Sequence, residues 1–139
     1  MSATPLIHYP ESVVVLAVQD GAVTVVTQPR PGAPEPTVEL PAGCLEPGEG
    51  PHEAAVRELR EECSLAAAHW RALGAFWAVP AYSTERVHVF EARELSPQLG
   101  RPDPDEDIAV GRLALGELPG ALSDAISIAA FALWTSGRR

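Results

Sequence analysis

Residues 43–65 read GCLEPGEGPHEAAVRELREECSL. Pro47, Gly48 and Gly50 make the first part of this stretch a loop. Pro51 suits the first turn of a helix, where a missing backbone N–H costs nothing. The apolar spacing of Ala55, Val56, Leu59 and Cys63 then predicts a helix over 51–64 with one buried stripe. At about 100° per residue, Glu58, Glu61 and Glu62 fall within an arc of about 100° beside that stripe. Taken alone, a Glu-rich helix face is more often simply solvated. Two features argue otherwise here. Like charges three and four residues apart repel one another, and a loop carrying a further carboxylate, Glu49, leads straight into the helix. Several hard oxygen donors on a rigid element suit Mg²⁺, which also takes oxygens from water and substrate phosphates.

Upstream of this helix, 12–19 (SVVVLAVQ) and 22–28 (AVTVVTQ) are rich in β-branched residues and read as strands joined through Asp20-Gly21, a tight-turn dipeptide. A Pro/Gly-rich loop follows at 29–36, and 37–40 is a short strand entering Pro41-Ala42-Gly43. Downstream, 73–79 and 86–92 read as strands flanking a loop at 80–85. The Pro- and acid-rich stretch 95–107 reads as a mobile loop, and 108–115 as the last strand. Ser123 is placed to cap a final helix over 124–136, in which Ile126, Ala129, Ala130 and Leu133 recur at helical spacing. Strands, helix, strands, helix in that order predict an α/β (α+β) protein with a mixed sheet packed between helices.

The chain has 139 residues, a length that fits one domain over 1–139. Its net charge of -9 argues against gripping nucleic acid through phosphates, which takes stripes of Lys and Arg. A small phosphorylated substrate is still compatible, because a divalent metal can bring the positive charge. The two cysteines, Cys44 and Cys63, form no CxxC and read as free thiols of a reducing compartment. No basic-then-apolar leader opens the chain and no run approaches 18 apolar residues, so neither a signal peptide nor a membrane span is expected, and the default location is the cytoplasm.

The stretch 43–65 resembles the Nudix box, G-x5-E-x7-R-E-U-x-E-E-x-G-U, where U is a bulky apolar residue. Gly43, Glu49, Arg57, Glu58, Leu59, Glu61, Glu62 and Leu65 match it, and Ser64 stands where the family has the Gly that ends the helix. The resemblance implies an α/β/α sandwich around a mixed sheet. It also implies Mg²⁺-dependent hydrolysis (with Mn²⁺ as the alternative ion) of a nucleoside diphosphate linked to another moiety. By position, Glu58 and Glu62 would be the principal metal ligands, with Glu61 beside them and the backbone carbonyl of Ala42 as the non-carboxylate ligand. Arg57 would pair with Glu49 and hold the loop to the helix. The carboxylate that takes the proton from the attacking water varies within the superfamily, and Glu58, Glu61 and Glu85 are the candidates.

Further features are similar to the ADP-ribose pyrophosphatase branch. Gln28-Pro29-Arg30 resembles its Q-x-R, Glu39-Leu40-Pro41-Ala42-Gly43 its E-L-P-A-G, and Ser83-Thr84-Glu85 its S-x-E. Pro80 lies near its signature proline, and 123–130 (SDAISIAA) is similar to its C-terminal helix, with Ile126 replacing a Lys. This implies ADP-ribose or a nucleotide sugar as substrate, with Arg30, Glu39 and Glu85 in contact with it. Trp77 and Tyr82 could stack on a base or ribose, although core packing is the commoner role of such residues. The branch also implies a homodimer, but the stretch before the first strand is shorter here than the additional N-terminal strands that usually help build one. The box alone is equally compatible with a nucleoside triphosphate or diadenosine polyphosphate hydrolase. A non-catalytic sensor of ADP-ribose is the third alternative, although such modules usually carry an eroded box or an attached domain.

Overall fold

The computed structural model describes residues 5–101, 104 and 107–137. Its seven strands are β1 (Ser12–Gln19), β2 (Ala22–Gln28), β3 (Thr37–Glu39), β4 (Ala42–Cys44), β5 (Leu65–Trp77), β6 (Arg86–Pro97) and β7 (Ala109–Ala114). Two α-helices, α1 (Pro51–Cys63) and α2 (Ala125–Ser136), complete it with a short 3-10 turn at Leu115–Glu117. The sheet runs β3-β2-β1-β6-β5, with β4 paired to β1 and β7 to β2. It is mixed: β1 lies parallel to β6, while β1–β2, β2–β3, β2–β7, β1–β4 and β5–β6 are antiparallel.

β1 explains how the layers form. Side chains on a strand alternate between faces. Val13, Val15 and Ala17 pack with Ala54, Ala55 and Leu59 of α1, whereas Val14, Leu16 and Val18 pack with Ala130 and Trp134 of α2. A strand buried on both faces must be apolar at every position, which is why VVVLAV reads as an unbroken run rather than an alternating one. The result is the α/β/α sandwich with a mixed sheet between helices. Among the described residues no helix is long and apolar enough to cross a membrane.

Several boundaries differ from the sequence reading. β5 starts at Leu65, not 73, and β6 continues to Pro97, not 92. The stretch LAAAHWRA has helix-forming alanines and no apolar alternation, but the long antiparallel pairing with β6 overrides local preference. That pairing shifts register between Ala72 and Gly74. Gly74 there has φ +134°, and a β-carbon on it would sit 3.3 Å from Leu133 of α2, so glycine answers both demands. Residues 95–97 therefore belong to β6, and the expected mobile loop lies partly outside the described residues. On α1 the buried apolar residues are Ala54, Ala55, Leu59 and Cys63, while Val56 is only half-buried.

The cap of α2 is Asp124, not Ser123: its carboxylate accepts from Ser127 N at 3.1 Å. Ser123 instead docks the start of α2 on β3, its Oγ accepting from Val38 N and its N–H donating to Val38 O, both at 2.9 Å.

Candidate active site

The box glycine is a packing requirement. A β-carbon on Gly43 would overlap the Glu58 carboxylate, so only glycine lets the α1 side chain lie against the β4 backbone. Glu62, one turn further along α1, is 8% exposed and accepts from Ala42 N at 3.0 Å. Strand β4 thus receives two α1 carboxylates.

Arg57 organises the loop ahead of the helix. Its Nε and one terminal nitrogen donate to the two oxygens of Glu49 at 2.8 and 2.9 Å, a bidentate pair. The same terminal nitrogen reaches Cys44 O at 2.9 Å. The other terminal nitrogen donates to Glu58 Oε1 at 2.8 Å and Glu61 Oε2 at 3.1 Å. The Glu49 hydrogen bond and the negative charge of Glu58 raise the guanidinium's pKa against the opposing effect of burial. The Glu49 carboxyl is held below the usual carboxylate range, chiefly by the Arg57 hydrogen bond. One partly buried cation therefore ties loop and helix together through three box carboxylates, Glu49, Glu58 and Glu61.

Glu58, Glu62, Arg57, Ala42 and Gly43 line one cavity of about 850 Å³. Glu85, Arg30 and Glu39 line the same cavity, approaching from three other elements. Glu61 and Glu49 do not line it; they stand behind it, on Arg57. Arg30 reaches Glu39 with two hydrogen bonds of 2.9 Å, and Thr37 Oγ1 adds a third at 2.5 Å. Burial works to raise the Glu39 carboxyl, but the Arg30 and Thr37 hydrogen bonds outweigh it and hold the group lowered. Glu85, at the end of the loop before β6, accepts from Ser12 Oγ at 2.7 Å.

Other sequence-named residues lie apart. Pro80 lines a second, apolar depression with Leu6 and Trp77, not the main cavity. Trp77 and Tyr82 are 56% and 44% exposed, so neither packs in the core. Trp77 instead carries the Arg86 guanidinium 4.5 Å above its ring.

The cavity also contains residues that the sequence did not single out. Tyr9 is one, its phenol pushed up to about 12 chiefly by the neighbouring Cys44, then by burial and Glu85. Asp124 is another. Burial raises its carboxyl, and Oδ1 is buried with no hydrogen-bond partner among the described residues. Ser12 was legible only as a strand residue, since what matters is its approach to Glu85 across the β1–β6 pairing. Thr37 had a signal: it stands two residues before Glu39 on the same strand, hence on the same face.

The donors that α1 turns to the cavity are the carboxylate oxygens of Glu58 and Glu62, while β4 adds backbone and the Cys44 thiol. Among the described residues no group of three or more His, Cys, Asp or Glu side chains is placed to hold a metal ion by itself. This fits a magnesium-like ion, which needs only one or two protein carboxylates and completes its shell from water and phosphate.

Comparison with known proteins bears on the family and the fold. The chain is 41% identical over 107 residues to the ADP-ribose pyrophosphatase of Bacillus subtilis (strain 168), a match covering 76% of this chain and 58% of that protein. It is 34% identical over 131 residues to the ADP-ribose pyrophosphatase of Mycobacterium tuberculosis (strain ATCC 25618 / H37Rv), covering 88% and 63% respectively. The chain thus spans about three-fifths of these relatives' lengths. Among solved structures, an ADP compounds hydrolase superposes with a TM-score of 0.82 at 24% identity, over 92% of this chain and 74% of that one, a likeness of fold. The family model for the NUDIX domain matches residues 8–131. That match takes in nearly the whole chain, and the protein belongs to the NUDIX domain family.

Proposed function

We propose that this protein hydrolyses the pyrophosphate bond of a nucleoside diphosphate linked to another moiety, with ADP-ribose or a nucleotide sugar as the preferred substrate. The products would be a nucleoside monophosphate and a sugar phosphate. The observation that carries this reading is the single cavity shared by the α1 carboxylates, Glu85 and the Arg30–Glu39 pair. A site for triphosphates or dinucleoside polyphosphates would call for more cationic side chains than Arg30 and Arg57, the Lys or Arg residues that line it among the described residues. The similarity to two ADP-ribose pyrophosphatases supports the same choice.

Glu58 and Glu62 would hold Mg²⁺, or Mn²⁺ in its place, with Glu61 beside them and the Ala42 carbonyl as the remaining protein ligand. When bound, the ion neutralises phosphate charge and lowers the pKa of water. Arg57 keeps Glu58 aimed by pairing with it, and the Ala42 N–H fixes the Glu62 carboxylate. Glu85 enters the cavity from a different element than α1 and is the carboxylate proposed to take the proton from the attacking water. Arg30, half-exposed and anchored on buried Glu39, offers its free edge to the substrate.

The test is incubation of purified protein with Mg²⁺ and a panel of ADP-ribose, nucleotide sugars, nucleoside triphosphates and diadenosine polyphosphates. Release of AMP and ribose phosphate from ADP-ribose is expected at the highest kcat/KM. Turnover confined to triphosphates would replace the substrate assignment, and binding of ADP-ribose without turnover would make the protein a sensor.

A further inference from the structure

The segment ahead of β1 contributes no box residue, yet it is bound to the loop that delivers Glu85. Ile7 forms an isolated parallel bridge with Ser83. Ile7 N donates to Tyr82 O at 2.7 Å and Thr84 N donates to Ile7 O at 2.9 Å. The Thr84 hydroxyl closes the next step: its Oγ1 accepts from Tyr9 N at 2.8 Å and donates to Tyr9 O at 3.2 Å. Three residues on, Ser12 Oγ donates to Glu85 Oε2 at 2.7 Å. Ser12 is itself buried, at the head of a strand whose next residues are wholly buried.

This arrangement has a chemical consequence. Glu85 sits on a loop end, and a carboxylate there has several rotamers, of which few aim at a phosphorus centre in the cavity. A hydroxyl on a rigid, buried strand selects one of them through the acceptor oxygen it binds, leaving Oε1 for the water. The backbone under Glu85 is set one residue earlier, where the Thr84 hydroxyl joins both backbone groups of Tyr9. We infer that Ser12 and Thr84 are positioning residues for Glu85, Ser12 fixing the carboxylate directly and Thr84 clamping its loop to the 7–9 segment. The inference rests on the reading of Glu85 as the proton acceptor. Misplacement of a catalytic group by about 1 Å costs up to about a hundredfold in rate, so the loss of one fixing hydrogen bond should be visible in kcat.

The test compares wild type, Glu85→Gln, Ser12→Ala, Thr84→Val and Thr84→Ser, each assayed for kcat, KM and melting temperature with Mg²⁺ and ADP-ribose. Thr84→Val keeps the shape and removes the hydroxyl, whereas Thr84→Ser keeps the hydroxyl. Expected are kcat losses of about tenfold in Ser12→Ala and Thr84→Val with KM within about twofold, and recovery to near wild type in Thr84→Ser. A loss in Thr84→Val that Thr84→Ser does not restore, or that tracks a fallen melting temperature, overturns positioning in favour of a purely structural role. Wild-type kcat in both Ser12→Ala and Thr84→Val, beside a crippled Glu85→Gln, overturns it while sparing the role of Glu85. Full turnover in Glu85→Gln removes that role and this inference together, and a wild type without turnover of any pyrophosphate substrate removes the functional reading itself.

Discussion

Ser64 ends α1 with φ +54° and ψ 43°, in the left-handed region. Its N–H still closes the helix on Arg60 O at 2.9 Å, so the turn the box requires is made without the glycine that usually makes it. A non-glycine residue pays about 1–2 kcal/mol for that conformation, part of which glycine gives back as unfolded-chain entropy. Ser64→Gly should therefore stabilise the fold by roughly 0.5–1 kcal/mol, read as a higher melting temperature, with turnover unchanged; an unchanged or lower melting temperature would count against strain at this cap. Glu62 presents the opposite case. It is buried and fixed by the Ala42 N–H, and Gln can keep that acceptor while losing the charge. Glu62→Gln should leave the circular dichroism spectrum intact and cut kcat by two or more orders of magnitude (roughly 10²–10⁴) if the carboxylate holds metal. Retained full turnover would refute the ligand assignment. Both residues were visible in the sequence because the box is a local pattern: loop, helix phase and carboxylate spacing all lie within 43–65.

At the scale of elements, legibility depended on how far apart the partners lie. Most of the buried face of α1 followed from periodicity, whereas β1, apolar along its whole run, was legible as a strand but not face by face. The start of β5 was not legible, because its alanines take the conformation of the strand beside them. Glu91 shows the same limit. It sits within β6, is 6% exposed, and accepts from Trp134 Nε1 of α2 at 2.6 Å, with Arg71 and Arg93 at 3.4 and 3.3 Å. Nothing near Glu91 in sequence announces Trp134. Burial acts to raise this carboxyl, but the Trp134 and Arg93 hydrogen bonds lead those that hold it lowered. A lowered folded-state pKa contributes stability that is present above the unfolded value of 4.5 and is lost as pH falls through the folded value. Trp134→Phe, which keeps the ring in the core and removes the donor, should cost about 1–3 kcal/mol at neutral pH. The difference from wild type should begin to shrink below pH 4.5, where Glu91 of the unfolded chain takes up its proton, and shrink further as pH falls through the lowered folded value. Denaturant titrations at neutral and acid pH check this, and a difference independent of pH would assign the loss to packing alone.

The whole molecule carries a net charge of -9, and its main cavity is acidic as well: Glu39, Glu46, Glu58, Glu62, Glu85 and Asp124 line it against Arg30 and Arg57. A substrate bearing phosphates enters such a site only if positive charge comes with it. The sequence exposed this conflict between charge and substrate but not its spatial form. Arg30, Glu39 and Glu85 come from three separate segments, and the β1–β6, β1–β2 and β2–β3 pairings bring them to the α1 carboxylates. The same charge balance makes metal binding a question of stability. Carboxylates held close together repel in the empty protein, and an ion that binds only the folded state stabilises it by about 2.7 kcal/mol at a hundredfold excess over its Kd. For a chain of this size that corresponds to a rise in melting temperature on the order of 5–10 °C. Mg²⁺ should therefore raise the melting temperature of the wild type by this amount, and excess chelator should reverse the rise and abolish turnover, with both restored on re-addition. Simple screening of the acidic surface predicts instead that NaCl at equal ionic strength does the same, since it needs no coordinating site. In Glu62→Gln the magnesium-specific part of the shift should largely disappear while any effect of NaCl persists. Equal responses to the two salts, or the same magnesium response in wild type and variant, would mean that the cation acts on the surface charge and not at the α1 carboxylates.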